Sequence, residues 1–222
     1  IYKKGDATRR LHMLIFAPSF EAVEKINSAL IKRGCNLASD GRAIIGMDAK
    51  ELTKIALESD ERCMIVPAHA WTPWFAVFGS KSGFDSLQEC FDELTPYIYA
   101  IETGLSSDPT MNHQVSALDN ITLLSNSDAH SCSNLAREAN VFDLPELTYD
   151  AVCNAIKEND AKKFLYTIEF YPEEGMYHID GHRDCHFSCE PDESKRLKNM
   201  CPVCHKPLTI GVLNRVQQLA DR

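Results

Sequence analysis

The chain has 222 residues, 44% hydrophobic and 25% charged, the balance of a globular protein with one large domain or one domain and a small appendage. Its net charge of −9 excludes a uniformly basic nucleic-acid coat, while leaving room for local binding through a basic patch beside a metal site. No apolar run approaches the roughly 20 residues of a membrane span.

The opening "IYKKGDATRRLHMLIF" lacks the apolar length and cleavage site of a secretory signal, which points to the cytoplasm. With nine cysteines and no such signal, reduced thiols are expected, and closely spaced ones become metal candidates. In chain order, "RRLHMLIF" (9–16) predicts a strand. A helix should follow, with Ser19 as its cap, Val23, Ile26 and Leu30 at helical spacing, and Gly34 at its end. "MDAKELTKIALES" predicts a second helix, with Asp48 and Glu51 at capping-box spacing. "CMIVPAHAW" predicts a short buried strand ended by Pro67, and "FDSLQECFDEL" a helix capped by Asp85. Then come a strand, "YIYAIETG", a short helix, "MNHQVSAL", and a further strand, "NITLLSNSDAH". "TYDAVCNAIKEN" predicts a helix opened by Thr148 or Asp150, and "KKFLYTIEFY" a last strand.

Strands alternating with helices predict parallel β/α units, whose chemistry sits at the carboxyl ends of the strands. His69, Glu102 and the Asp128/His130 pair each follow an apolar strand and are expected to converge on one rim. Beyond about residue 170 periodicity fades and Cys and His accumulate, the mark of a small metal-stapled module before a closing helix, "GVLNRVQQLADR". The expected divisions are 1–170, 171–208 and 209–222.

Two constellations carry chemistry. Cys201-Pro202-Val203-Cys204 is a knuckle from which two thiolates reach one zinc ion. Upstream partners are His178, His182, Cys185, His186 and Cys189. Cys185 with Cys189 would complete a four-thiolate site, and His182 with Cys185 a site of three thiolates and one imidazole. The second set is His12, His69, Glu102, Asp128 and His130. Carboxylate with imidazole suits zinc, manganese or iron rather than calcium, and the Ser and Asn before Asp128 are donors that can orient such ligands. Asp-x-His alone is equally compatible with a buried aspartate bonded to its neighbours.

"LLSNSDAH", "IVPAHAWTPWF", "AIETGLSSDP" and "RRLHMLIFAPS" together resemble the polymerase and histidinol phosphatase (PHP) superfamily of metal-dependent phosphoesterases. "FGSKSGFDSL", "REANVFD", "EFYPEEGMYH", "DGHRDC" and "CPVCHKPLTIGVLNRVQQLADR" narrow the resemblance to the endonuclease Q family of DNA repair nucleases, over almost the whole chain.

The resemblance implies an α/β fold, a partial PHP-type β/α barrel with a small zinc-binding module. It implies rim metals (zinc, manganese, magnesium or iron) on His12, His69, Asp128 and His130, with Asp128, His130 and Glu102 catalytic. Structural zinc would lie on His182, Cys185, Cys201 and Cys204, with Cys189 as the alternative. PHP proteins carry a His-x-His pair and further ligands ahead of the His12 motif. This chain starts just before His12, so it is expected to be a carboxyl-side fragment that binds rim metals poorly.

The implied substrate is DNA with a deaminated base or an abasic site, cut on the 5′ side. Trp71, Trp74, Phe75 and Phe78 are candidates for stacking on bases or for packing a core. Lys81 is a candidate phosphate contact, and Gly79 and Gly83 would let this loop move. A sliding clamp is a candidate further partner, without a recognisable clamp motif, and no membrane is expected. Other functions considered are a phosphatase of small phosphoesters and a non-catalytic zinc-ribbon nucleic-acid-binding protein.

Overall fold

The computed structural model describes residues 1–38 and 43–222. Tyr2–Lys4 (β1) and Ala7–Arg9 (β2) pair antiparallel. The predicted strand at 9–16 is therefore broken, and only Met13–Phe16 forms β3. His12 lies just before it, donating its N–H to the Phe75 carbonyl (2.9 Å) and accepting from Ala68 N (3.0 Å).

Ser19 caps Phe20–Lys32 (α1) by accepting from Ala22 N, and the buried face is Ala22, Ile26 and Leu30. Val23, expected inside, is 38% exposed. Asp48 caps Ala49–Ser59 (α2) through Lys50 N. Met64–Pro67 (β4) is wholly buried and pairs with β3 antiparallel, Leu14 opposite Val66. Two helices lie between these strands. These strands are therefore not joined by the single helix of a β/α unit, and they pair antiparallel rather than parallel.

Ser86, not Asp85, caps the next helix, Leu87–Phe91 (α3). It gives way to a 3₁₀ turn, Asp92–Tyr97, containing Pro96, where a proline cannot donate to a continuing α-helix. Ala100–Glu102 (β5), Pro109–Asn112 (α4) and Thr122–Leu124 (β6) follow. β5 and β6 are parallel, the expected arrangement. Ala139–Phe142 (β7) and Phe164–Ile168 (β8) pair antiparallel around Tyr149–Glu158 (α5), which Thr148 caps through Ala151 N.

Among the described residues the strands form two-stranded sheets, and one pair in five is parallel. Further hydrogen bonds join their ends in series. Ala70 N donates to Glu102 O (3.0 Å), Thr103 N to Leu124 O (2.9 Å), and Ser125 Oγ to Ile168 O (2.8 Å). The ends of β4, β5, β6 and β8 are thereby held side by side.

The main core gathers α1, α2, β4 and β5 around Ile55, Ile65, Trp71, Phe91 and Ile101. Asp180–His182 (β9) and Phe187–Cys189 (β10) form a small antiparallel ribbon, followed by Pro191–Arg196 (α6). Val212–Leu219 (α7) returns to the main core with Val212 and Val216. No helix among the described residues is long and apolar enough to cross a membrane.

Candidate metal centres and the loop beside them

The small module is built from two turns. Gly181 pairs with Thr209 and Met200 with Pro207, which lays the Cys201–Cys204 knuckle against the turn between β9 and β10. His205 N donates to Cys201 O (2.9 Å) and Cys201 N to Lys206 O (2.8 Å), closing the knuckle. One ligand atom each from His182, Cys185, Cys201 and Cys204 lies within 4.8 Å of the others. Cys204 Sγ is 3.8 Å from His182 Nδ1, against about 3.5–3.6 Å between a sulfur at about 2.3 Å and a nitrogen at about 2.0–2.1 Å on a tetrahedral zinc.

The chemistry of the donor set agrees. The Cys185 thiol is pushed up to about 12, chiefly by its hydrogen bond to Cys204, then by burial and Cys201. Burial also opposes ionisation of Cys201, but the N–H groups of Cys204 and Val203 aimed at its sulfur prevail and lower its pKa. Three crowded sulfurs cannot all be thiolates without a cation between them. The residues fit a four-coordinate metal and leave no position open for substrate. Cys189 is not part of the cluster. It is 4% exposed and packs with Cys201 and Leu208. His178 is also buried, with Nδ1 3.2 Å from Ser106 O.

At the other candidate centre, His12 Nδ1 and His69 Nε2 are 3.1 Å apart, within hydrogen-bonding distance of each other. His69 Nδ1 is 3.0 Å from Thr72 Oγ1, and the His69 N–H donates to Glu102 Oε2 (2.8 Å). Gly104 makes this approach feasible: it has φ of +66°, and a Cβ there would sit 2.8 Å from His69 Cβ. Glu102 is 4% exposed, and its other oxygen accepts from Asn126 Nδ2 (2.7 Å). Burial raises its pKa, against the Asn126 and His69 donors, and Asp128 adds to the rise. With both oxygens engaged by protein donors, Glu102 orients the His69 turn.

Asp128 and His130 do not continue β6 as an extended strand, as their spacing suggested. β6 ends at Leu124, Asp128 takes φ of +44°, and His130 Nδ1 lies 2.8 Å from the Asp128 carbonyl. Both side chains are exposed. His69, at φ +31°, is likewise in the sparsely populated left-handed half of backbone space. Among the described residues, only the His182 cluster gathers three or more metal-ligating side chains. The rim therefore presents one close histidine pair, with the Asp128/His130 turn apart from it.

The aromatic segment after His69 divides sharply. Trp71 is 1% exposed, donates to Asn112 Oδ1 (2.7 Å) and packs on Phe78, itself buried, at 4.6 Å between ring centroids. Neither is available to DNA, because exposing them would open the main core. Trp74 is half-buried with Tyr177 at its edge, while Phe75 is 40% exposed with the Arg10 guanidinium over its ring. Lys81 is exposed.

Gly79 and Gly83 do not loosen this loop. Cβ atoms there would come within 2.8 Å of Pro73 O and 2.7 Å of Val77 O, so they permit tight packing. Arg10, a cation beside Phe75 in an acidic protein, was visible in the sequence only as one of two adjacent arginines. Glu138, buried, and Asn126, Asn140 and Glu169, half-buried, lie within stretches that carried the family resemblance, but only Asn126 was singled out there, as a donor before Asp128.

No family model matches the chain. It is 31% identical over 160 residues to an uncharacterised protein of Methanocaldococcus jannaschii, covering 69% of this chain and 19% of that one. It is 30% identical over 213 residues to the uncharacterised protein YqxK of Bacillus subtilis, covering 96% and 52%. Among solved structures it resembles the lesion-specific endonuclease PfuEndoQ from Pyrococcus furiosus, with a TM-score of 0.82, 30% identity and coverage of 96% and 52%. It also resembles endonuclease Q in complex with a 27-mer duplex substrate with an abasic lesion at the active site, with a TM-score of 0.84, 30% identity and coverage of 96% and 53%. The chain spans about half the length of these two structures and of YqxK, and shares the fold of the part it covers.

Proposed function

We propose that the protein is a DNA repair endonuclease, a metal-dependent phosphodiesterase that cuts 5′ of a deaminated base or an abasic site. The observation that carries this reading is the likeness to endonuclease Q across 96% of the chain, with the His12/His69 pair at a common rim. His12, His69, Asp128 and His130 would hold rim cations, and His182, Cys185, Cys201 and Cys204 a structural zinc. A divalent cation at the rim would supply a water acidic enough to attack phosphorus near neutral pH.

The chain's own residues do the rest. Glu102 holds the His69 turn through its backbone N–H, so the imidazole meets His12 at a fixed distance. Asp128 and His130, exposed on their turn, would supply a carboxylate and an imidazole to such a cation. Phe75 and Trp74 offer ring faces to a base or gap, and Arg10 and Lys81 meet the flanking phosphates. We divide the chain into a rim-bearing part, 1–170, the metal module, 171–208, and a closing helix, 209–222.

The test uses the full-length protein carrying this chain. End-labelled duplex with one deoxyinosine, deoxyuridine or abasic site is incubated with Mg²⁺ or Mn²⁺, beside an Asp128→Ala variant. Cutting 5′ to the lesion that disappears in the variant supports the proposal. An absence of cutting on every lesion overturns it.

A further inference from the structure

Three consecutive residues lead into Asp128, and each is gripped from one short stretch of chain. Ser125 N donates to Asn140 Oδ1 (2.8 Å), while Asn140 Nδ2 donates to Ser125 O and Asn126 Oδ1 (both 2.9 Å). Arg137 Nε donates to Ser127 O (2.9 Å). The Asn140 amide thus stands where the backbone of a neighbouring strand would stand, and it extends the order of β6 beyond Leu124. Asn126, oriented by Asn140, donates to Glu102, and Glu102 accepts from the His69 N–H. An unbroken chain of hydrogen bonds therefore runs from Asn140 on β7 to the His69 backbone, while Asn140 and Arg137 hold the three residues that lead into Asp128.

We propose that Asn140 is a positioning residue, whose side-chain amide sets the turn bearing Asp128 and His130 and, through Asn126 and Glu102, the backbone of His69. The alternative, that Asn140 merely fills space between β6 and β7, does not need its donors and acceptor matched in this way. An aspartate there keeps the size and the acceptor for Ser125 N–H. It replaces the Nδ2 donor with an oxygen facing two other oxygens. Partners that orient metal ligands commonly change metal affinity 10–100-fold when removed, and that consequence rests on the nuclease reading. The effect on His69 does not.

The experiment compares Asn140→Ala, Asn140→Asp and Asn126→Ala with Leu118→Ala, which removes core volume away from the network. The full-length protein is used throughout. Hydrogen exchange is followed at the His69 amide, and the Mn²⁺ concentration for half-maximal cleavage and KM for lesion duplex are measured. The three asparagine variants should speed His69 exchange about tenfold, the equivalent of one hydrogen bond. They should raise the Mn²⁺ requirement at least about tenfold and leave KM unchanged, and Leu118→Ala should do none of this.

Unchanged His69 exchange in Asn140→Ala and Asn126→Ala, or an equal change in Leu118→Ala, overturns the proposal. Asn126→Ala cuts the same chain one link on and decides the matter if Asn140→Ala does not fold. If the unsubstituted protein cleaves no DNA, the nuclease reading fails, while His69 exchange still decides the role of Asn140.

Discussion

Glu138 is 3% exposed, and its two oxygens are treated unequally. Oε1 accepts from Phe170 N (3.2 Å), and Oε2 has no partner. Burial raises its pKa from 4.5 to about 7, and the Glu169 and Glu102 carboxylates add to the rise against the Phe170 N–H and Arg137. Glu169 is in the same position: its Oε1 is unpartnered, and burial raises its pKa too.

A carboxyl whose folded pKa is raised contributes stability that is complete below its ordinary value and lost as pH climbs through the folded one. For Glu138 that window runs from 4.5 to about 7. Each unit is worth about 1.4 kcal/mol, and allowing for relaxation of the site the loss across the window is about 1–3 kcal/mol. Glu138→Gln keeps the shape without the charge. The variant should be more stable than the parent by about 1–3 kcal/mol at pH 8, or roughly 2–10 °C in Tm, and no more stable at pH 4. Thermal unfolding of both proteins from pH 4 to pH 8 tests this. Parallel pH profiles would refute the reasoning, because they would mean that Glu138 ionises as easily in the folded state as in the unfolded one.

Removing the metal from the Cys centre should loosen the module rather than abolish a reaction at it. Cys201→Ser, or chelation, should lower protection of the Gly181 and Thr209 amides in hydrogen exchange, and zinc analysis should find one ion fewer per chain. The aromatic pair should separate stability from binding. Trp71→Ala should cost about 3–5 kcal/mol of stability. Phe75→Ala should stay within about 0.5 kcal/mol and weaken lesion-duplex affinity about tenfold or more, as one lost stacking contact requires.

What could be read from the sequence was whatever is local. Ser19 and Thr148 cap their helices because an N-cap bond spans three residues. The Cys201–Cys204 knuckle is a tight turn, and His182 with Cys185 lies on another. Most failures came where partners are remote; the cap found at Ser86 rather than Asp85 is a local one. Trp71 and Phe75 stand four apart in an irregular turn with no periodicity to sort inside from outside. The residue that decides, Asn112, is 41 positions away. The antiparallel pairing of β4 with β3 is a property of path rather than composition. Asn140 lies in the "REANVFD" stretch, which carried resemblance but named no role for it, because that role exists only where Asn140 on β7 meets Ser125 at the end of β6.

The closed metal module has a mechanical use that follows from the same contacts. Asp180, wholly buried on β9, accepts from Gly211 N (2.6 Å) and Asn214 Nδ2 (2.5 Å), and so fixes the start of α7 to the ribbon that carries His182. Arg215, one residue further, donates through Nε to Phe78 O (2.9 Å) and through Nη2 to Phe84 O (3.1 Å) and Asp85. Ser80 Oγ donates to Ile210 O (2.7 Å). Ribbon and helix thus hold the later part of the segment that follows His69, from Phe78 to Asp85, and the Phe75 carbonyl just before it receives the His12 N–H. A four-ligand site does no chemistry, but it orders a ribbon too small for its own core. Through Asp180 and Arg215 that order reaches the wall against which His12 and His69 are set. On the proposed function, recognition of one altered base among many would gain from such a wall, because every degree of freedom frozen on binding costs affinity.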